Sequence, residues 1–221
     1  MEVLEDLNVK NLKIYQNDEL YKFTSDAVLL SKFATVKHGD VVADFCSGSG
    51  IVSLHLYGLH YSKIKEVTLF EMQRPLYEMS KKSIEINKLE EVFSAKNCKV
   101  QEIDKEYNEK FSLIVCNPPY MAQGTGASQE NESIAMCKRE IYLPLDDLIK
   151  SVSRCLKFGG RINMCHRADR LSDVIFTLKK HNIEPKKLQT VSAIGKEPYL
   201  ILIEGVKGGK SGIKILENLF N

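Results

Sequence analysis

Short apolar runs alternate with longer amphipathic ones through the middle of the chain, the pattern of a parallel sheet whose strands are joined by crossover helices. Residues 41–45 form the first apolar run and enter the turn Asp44-Phe45-Cys46-Ser47-Gly48-Ser49-Gly50, after which 51–59 reads as a helix. Residues 66–71 predict a second strand. Over 73–87, Leu76, Met79, Ser83 and Ile86 fall at helical spacing, with Pro75 in the first turn, where a missing N–H does no harm. A third strand is expected over 98–103 and a fourth over 112–116, which is apolar after its first residue. Pro144 opens a helix running through Leu156, and Gly159-Gly160 is expected to stop it. A strand at 161–165, a helix over 169–181 and strands at 187–193 and 199–206 complete the series.

This rhythm predicts one doubly wound α/β domain with helices on both faces of the sheet. Residues 1–36 read as an N-terminal extension with a first helix, 37–206 as the core and 207–221 as a tail containing glycine and lysine. Residues 120–140 lack apolar periodicity, and a connection of that length inside a domain is functional or disordered.

Composition narrows the class. In 221 residues, 43% are apolar and 27% charged, an ordinary globular balance far from disordered or collagen-like chains. The formal net charge of +2 does not mark a nucleic-acid binder by bulk charge, but it conceals a division. Residues 1–137 hold 15 Lys/Arg against 20 Asp/Glu, whereas 138–221 hold 16 against 9, so the basic excess starts just after the irregular stretch. Six cysteines, at 46, 98, 116, 137, 155 and 165, are too widely spaced for a zinc knuckle or a dithiol redox site. They read as buried small residues in a reducing compartment. The acidic start Met-Glu-Val-Leu-Glu-Asp is unlike a signal peptide, and no apolar run has the length of a membrane span, so a cytoplasmic protein without membrane contact is expected.

Three motifs carry chemistry. The first is Asp44 at a strand end, followed by a turn whose glycines let the backbone approach a ligand and whose helix N-terminus offers unpaired N–H donors. A glycine turn that only makes the corner has the same appearance. The second is Glu71, 27 residues after Asp44 at the end of the next strand, suited to accept from both hydroxyls of a ribose, though a surface glutamate also fits. The third is Asn117-Pro118-Pro119-Tyr120, directly after a buried strand. Consecutive prolines hold the backbone rigid, so the Asn117 side-chain oxygen and the Pro118 carbonyl become fixed acceptors, and Tyr120 offers a face for stacking. Such a set suits a planar group bearing an NH₂.

Asn-Pro-Pro-Tyr after the fourth strand, with the Asp44 turn and Glu71, resembles the S-adenosylmethionine-dependent amino-methyltransferases. The chain is more similar still to the bacterial tRNA1(Val) adenine-37 N6-methyltransferase family. Leu12-Lys13-Ile14-Tyr15-Gln16, Phe23-Thr24-Ser25-Asp26-Ala27-Val28-Leu29-Leu30, Lys138-Arg139-Glu140, Gly159-Gly160 and His166-Arg167-Ala168-Asp169-Arg170-Leu171 follow in the family's order over nearly the whole chain. Two positions depart. Cys46 stands where the family's turn has its first glycine, and Cys137-Lys138-Arg139-Glu140 stands where Ala-Arg-His-Glu is usual.

The resemblance implies a Rossmann-like class I methyltransferase fold with a seven-stranded, mostly parallel sheet. It implies S-adenosylmethionine as cofactor, S-adenosylhomocysteine as product, tRNA as partner, and neither metal nor obligate protein partner. Asn117, Pro118, Pro119 and Tyr120 become the expected catalytic residues. Gln16, Phe23, Thr24, Asp26 and the turn residues Asp44, Cys46, Ser47, Gly48 and Gly50 would border the methionine portion of the cofactor. Glu71 would meet the ribose and Asp104 the adenine amine, and Met72 and Asn117 are expected among the cofactor-binding residues as well. Asp26 reads equally as the start of a helix, and Asp104 as a turn residue. Lys138, Arg139, Arg167, Arg170, Lys186, Lys187, Lys207 and Lys210 are the expected phosphate-facing cations. Guanine-N2 methylation of ribosomal RNA, methylation of a protein glutamine, and a catalytically idle RNA-binding module stay open as alternatives.

Overall fold

A computed structural model of the chain describes residues 2–17, 20, 25–120 and 143–221. Phe23, Thr24, Lys138 and Arg139 lie outside the described residues.

The chain begins with an antiparallel hairpin, β1 (Glu2–Asp6) and β2 (Lys13–Asn17), where only an extension and a helix were expected. Its signal is short: Ile14 and Gln16 are buried while Lys13 is exposed, an alternation of too few residues to stand out. Helix α1 (Ser25–Phe33) follows, with Asp26 in its first turn. Then come β3 (Asp40–Phe45), α2 (Ile51–His60), β4 (Ile64–Glu71), α3 (Arg74–Ile86), β5 (Phe93–Asn97) and β6 (Phe111–Cys116). Helix α4 (Leu145–Cys155) has Pro144 as its N-cap, Asp146 and Asp147 in the first turn and Arg154 in the last, the charge order a helix dipole favours. The remainder is β7 (Leu156–Arg167), α5 (Leu171–Lys180), β8 (Ile183–Ser192), β9 (Leu200–Lys207), β10 (Lys214–Ile215) and β11 (Leu219–Phe220).

The main sheet has the order β10-β8-β9-β7-β6-β3-β4-β5, with β11 also on β8. Strands β3 to β7 pair in parallel, and β9 runs antiparallel between β7 and β8. Seven principal strands are present as expected, six of them overlapping their expected ranges, and the tail adds two short ones in parallel with β8. The chain order reverses at β3, between β4 and β6, so the carboxyl ends of these strands form the crevice where such sheets bind ligands.

Two sequence expectations fail locally. The third strand is Phe93–Asn97, not 98–103, where Val100–Glu102 instead forms a 3₁₀ turn. Leu89, Phe93, Val100 and Ile103 are all buried, so the apolar pattern continues across the strand end and does not mark it. Gly159 and Gly160 do not end a helix. Helix α4 stops at Cys155, and the glycines lie inside β7 at an irregularity where Phe111 pairs Leu156 but Leu113 pairs Arg161. A Cβ on Gly160 would come within 2.8 Å of the Lys157 carbonyl, and only glycine fits that bend.

Strand alternation divides the core. Val42, Leu113 and Val115 pack with Leu30, Val52 and Leu54 of α1 and α2, whereas Ala43, Phe45 and Ile114 pack with Leu148, Val152 and Val174 of α4 and α5. At the amino edge a buried ion pair ties three neighbouring strands together. Arg161 Nη2 lies 2.5 Å from Asp40 Oδ2, and the Ser112 hydroxyl donates to Asp40 Oδ1 at 2.8 Å.

Candidate active site

The turn after β3 is built from left-handed backbone. Cys46 has φ +60°, Gly48 +56° and Gly50 +92°. At Gly50 the shape is obligatory, since a Cβ would approach a Leu69 methyl to 2.9 Å, whereas at Gly48 the space is open. Cys46 shows that the backbone keeps the turn's form with a side chain where the related family has glycine, at the strain that αL imposes on an L-residue.

Asp44 is fully buried on the α2 side. Its Oδ2 accepts from the Ser53 N–H at 3.2 Å and from the Ser53 hydroxyl at 2.6 Å. Burial pushes its carboxyl up to about 7, with nearby Glu71 adding to the rise and the Ser53 bonds opposing it. Glu71, at the end of β4, accepts from the Gly48 N–H at 2.9 Å and the Gln73 N–H at 2.8 Å. Burial raises its pKa too, against these backbone bonds and one from Met72. Glu71 thus couples the β4 end to the glycine turn, and a carboxylate with about four lone-pair sites retains capacity for ligand hydroxyls. The Asn97 amide donates to the carbonyls of Glu71 and Met72, closing this corner. Asp104 is exposed and precedes a second 3₁₀ turn, Lys105–Tyr107. The Cys98 thiol, one residue past the end of β5, is raised first by burial and then by the charges of Asp104 and Glu102.

Gln16 reaches the turn from the N-terminal hairpin. Its Nε2 donates to the Ser49 hydroxyl at 2.7 Å, and its side chain is completely buried. Ser47 Oγ and Asp44 Oδ1 are buried with no hydrogen-bond partner among the described residues. An acceptor and a hydroxyl left unmatched beside an open glycine fit a polar ligand that completes them.

Across from this turn, β6 ends in the proline pair, with Pro118 buried and Asn117 and Tyr120 half-buried. Asn117 Oδ1 accepts from the Cys165 thiol at 2.9 Å, a bond that fixes the amide plane from behind. Burial lifts the Cys165 pKa well above the usual thiol range, with the Asp26 charge adding to the effect, so this sulfur stays protonated and able to donate. The Tyr120 hydroxyl donates to Asp26 Oδ2 at 2.6 Å, tying the proline loop to the start of α1, and its ring centroid lies 5.8 Å from that of His166. Beside Tyr120 an open cavity of about 380 Å³ is lined by Asp26, Arg167, Asp169, Pro198, Tyr199 and Leu200.

The structure therefore brings together Gln16, Asp26, the Asp44–Gly50 turn, Glu71, Met72 and the Asn117–Tyr120 loop, with Arg167 at the cavity wall. It does not bring the expected lysines there. Lys207 pairs in register with Ile183 and donates to the Leu156 carbonyl, at the amino edge and roughly 20 Å along β9 from Leu200. Lys186 donates to the Lys210 carbonyl near the same edge. Lys187 donates to the Phe33 carbonyl and the Thr35 hydroxyl, and its ammonium lies 4.1 Å from the Phe33 ring centroid. Arg170 pairs with Asp173 at 2.5 Å on the α5 start. Sequence reasoning missed Ser53, Cys165 and Tyr199. Only Ser53, three residues past Gly50, carried a local cue, because it falls in the first turn of the following helix.

Parallel strands with this crossing point, an acidic residue on each of two adjacent strand ends and a proline-rigid amide on a third define a Rossmann-like class I methyltransferase. The methyltransferase small domain model matches residues 18–169, and the chain belongs to that family of S-adenosylmethionine-dependent enzymes. Two similar proteins carry the name tRNA1(Val) (adenine(37)-N6)-methyltransferase. That of Christiangramia forsetii is 24% identical over 86% of this chain and 78% of its own length. That of Shewanella baltica is 27% identical over 80% and 74%. Among solved structures, one described as a predicted O-methyltransferase from Agrobacterium tumefaciens superposes with a TM-score of 0.69 at 18% identity, covering 88% of this chain and 86% of that one. The tRNA m1G37 methyltransferase of M. jannaschii gives 0.65 at 18% identity over 95% and 56%. These likenesses establish the fold. Among the described residues no group of side chains is placed to hold a metal ion, and no helix is long and apolar enough to cross a membrane.

Proposed function

We propose that this enzyme methylates the exocyclic N6 of an adenosine in tRNA, at position 37 of the anticodon loop of a valine tRNA, in the cytoplasm where that substrate resides. The observation that carries the reading is the Asn117 amide, anchored by Cys165 at the end of β6 between the Asp44–Glu71 corner and the Tyr120 cavity. The relatives' names agree with it.

S-adenosylmethionine, when bound, supplies an electrophilic methyl group on sulfur. Glu71 would receive its ribose with Met72 beside it, Asp104 its adenine amine, and Gln16, Asp26, Cys46, Ser47, Gly48 and Gly50 its methionine end, with Phe23 and Thr24 added from the family resemblance. The amine of adenine is a poor nucleophile because its lone pair is delocalised into the ring. Asn117 Oδ1 and the Pro118 carbonyl accept its two hydrogens and favour a pyramidal nitrogen with the lone pair free. Pro119 keeps these acceptors from relaxing away, and Tyr120 stacks on the base. The acceleration comes from positioning and from dipoles set in advance. No side chain is assigned as a base, because the proton passes to solvent once the new nitrogen–methyl bond has formed and the methyl–sulfur bond has broken. An unpaired loop adenosine enters the pocket at least unstacking cost.

The test is mass spectrometry of nucleosides from tRNA incubated with protein and S-adenosylmethionine. N6-methyladenosine is expected, and Asn117→Ala should lower transfer at least 100-fold with cofactor affinity retained. N2-methylguanosine, or methylglutamine in a protein, would replace this substrate assignment.

A further inference from the structure

The β8–β9 connection reaches the carboxyl edge beside the cavity, and residues 193–199 are all exposed. Ile194 is 86% exposed at its tip, and Tyr199, which lines the cavity, is 44% exposed. Strand β11 brings a third apolar side chain to this edge: Phe220, 66% exposed, pairs in register with Ser192. The arrangement is braced. The Asn221 N–H donates to the Ser192 carbonyl at 3.1 Å, and its side-chain amide donates to the Tyr199 hydroxyl and the Ser25 hydroxyl, each at 3.0 Å. Exposed apolar side chains gathered at the mouth of a site mark a binding surface.

Two cations lie among them, alongside the carboxylates of Glu197 in the connection and of Asp26 and Asp169 at the cavity. Lys196 is exposed in the same connection, and Arg167 forms part of the cavity wall. Arg167 directs its Nε and Nη2 donors to Asp169, which orients the guanidinium and leaves three further N–H donors. Apolar and aromatic faces alternating with cations are what an unpaired nucleic-acid strand needs, because each nucleotide offers a flat base and an anionic phosphate.

We propose that the β8–β9 connection and β11 form a docking rim for single-stranded RNA, with Ile194, Tyr199 and Phe220 packing on bases that flank the methylated one and Lys196 meeting a phosphate. The inference rests on the reading that this enzyme methylates an RNA base, and assigns the surface that grips the neighbouring nucleotides.

The experiment measures tRNA affinity, KM for tRNA and affinity for S-adenosylmethionine in Tyr199→Ala, Tyr199→Phe, the double variant Ile194→Ser/Phe220→Ser, and Lys196→Ala. Tyr199→Ala and the double variant should each weaken tRNA binding and raise its KM about tenfold, with cofactor affinity and melting temperature as in wild type. Tyr199→Phe, which keeps the ring, should bind like wild type. Lys196→Ala should reduce the salt dependence of binding by about one ion. Wild-type tRNA affinity in both Tyr199→Ala and the double variant would overturn the rim, as would loss of cofactor affinity in step with tRNA affinity. Failure of the underlying reading shows separately, in wild-type protein that binds cofactor yet methylates no RNA base, and it takes this inference with it.

Discussion

At the residue scale, Asp44 and Cys46 carry strain that the sequence announces only as identities. A carboxyl held near 7 in the fold, against about 4 in the unfolded chain, favours the folded state most when protonated. Its contribution is complete below pH ~4, declines as pH rises through about 7 and is flat above, a span on the order of 4 kcal/mol. Asp44→Asn, which keeps an acceptor for Ser53 without charge, should therefore raise the melting temperature more at pH 8 than at pH 5.5. An equal rise at both would show that Asp44 is not held protonated. Cys46 at φ +60° makes a different demand. Cys46→Gly should be at least as stable as wild type, whereas Cys46→Val, β-branched in αL, should lose about 1–2 kcal/mol in urea unfolding. The turn, Glu71 and the proline loop were legible because each is a run of unusual residues at a strand end. Cys165 and Tyr199 were not. Cys165 touches Asn117 only because β6 and β7 are neighbours in the sheet, and Tyr199 reaches the cavity only because β9 lies beside β7; a pairing between residues 117 and 165 leaves no local pattern.

At the element scale, β3, β6 and β7 must stay in register for Asp44, Asn117 and Cys165 to face one crevice. The amino-edge clamp of Asp40, Ser112 and Arg161 holds that register, and its guanidinium is almost wholly buried. Arg161→Met should cost about 3–5 kcal/mol, since it leaves the Asp40 charge buried alone. Adding Asp40→Asn should recover much of that loss, and a double variant no more stable than the single would refute the pair's coupling. Elements with strong periodicity were read to within a residue or two, as for Phe111–Cys116 and Arg74–Ile86. Those read wrongly share one cause, because tertiary contacts decided them. β5 ends where the Asn97 amide docks on Glu71 and Met72, although apolar residues continue beyond it. Gly159 and Gly160 serve a strand irregularity, although their local signature is a helix stop.

At the scale of the whole molecule, the division into an acidic first part and a basic second part has a geometry that counting could not supply. Lys186, Lys207 and Lys210 gather toward the amino edge, while Asn117, Tyr120 and Arg167 occupy the carboxyl edge, so the basic excess is not a single collar around the site. A tRNA is long enough to meet both edges, whereas an isolated anticodon stem-loop held at the carboxyl edge reaches the other poorly. Replacing Lys186, Lys207 and Lys210 together with alanine should therefore weaken binding of full-length tRNA and reduce its salt slope by about 0.7–0.9 per lysine that had neutralised a phosphate. Binding of the stem-loop should change less than twofold if the lysines act only at a distance. Arg167→Ala should weaken both ligands alike, because its guanidinium stands at the cavity itself. Equal losses with stem-loop and full-length tRNA in the triple lysine variant would mean that the RNA wraps the amino edge close to the loop. Unchanged binding of both would leave these lysines as ordinary solvated and structural charges, the role Lys207 already has on the Leu156 carbonyl.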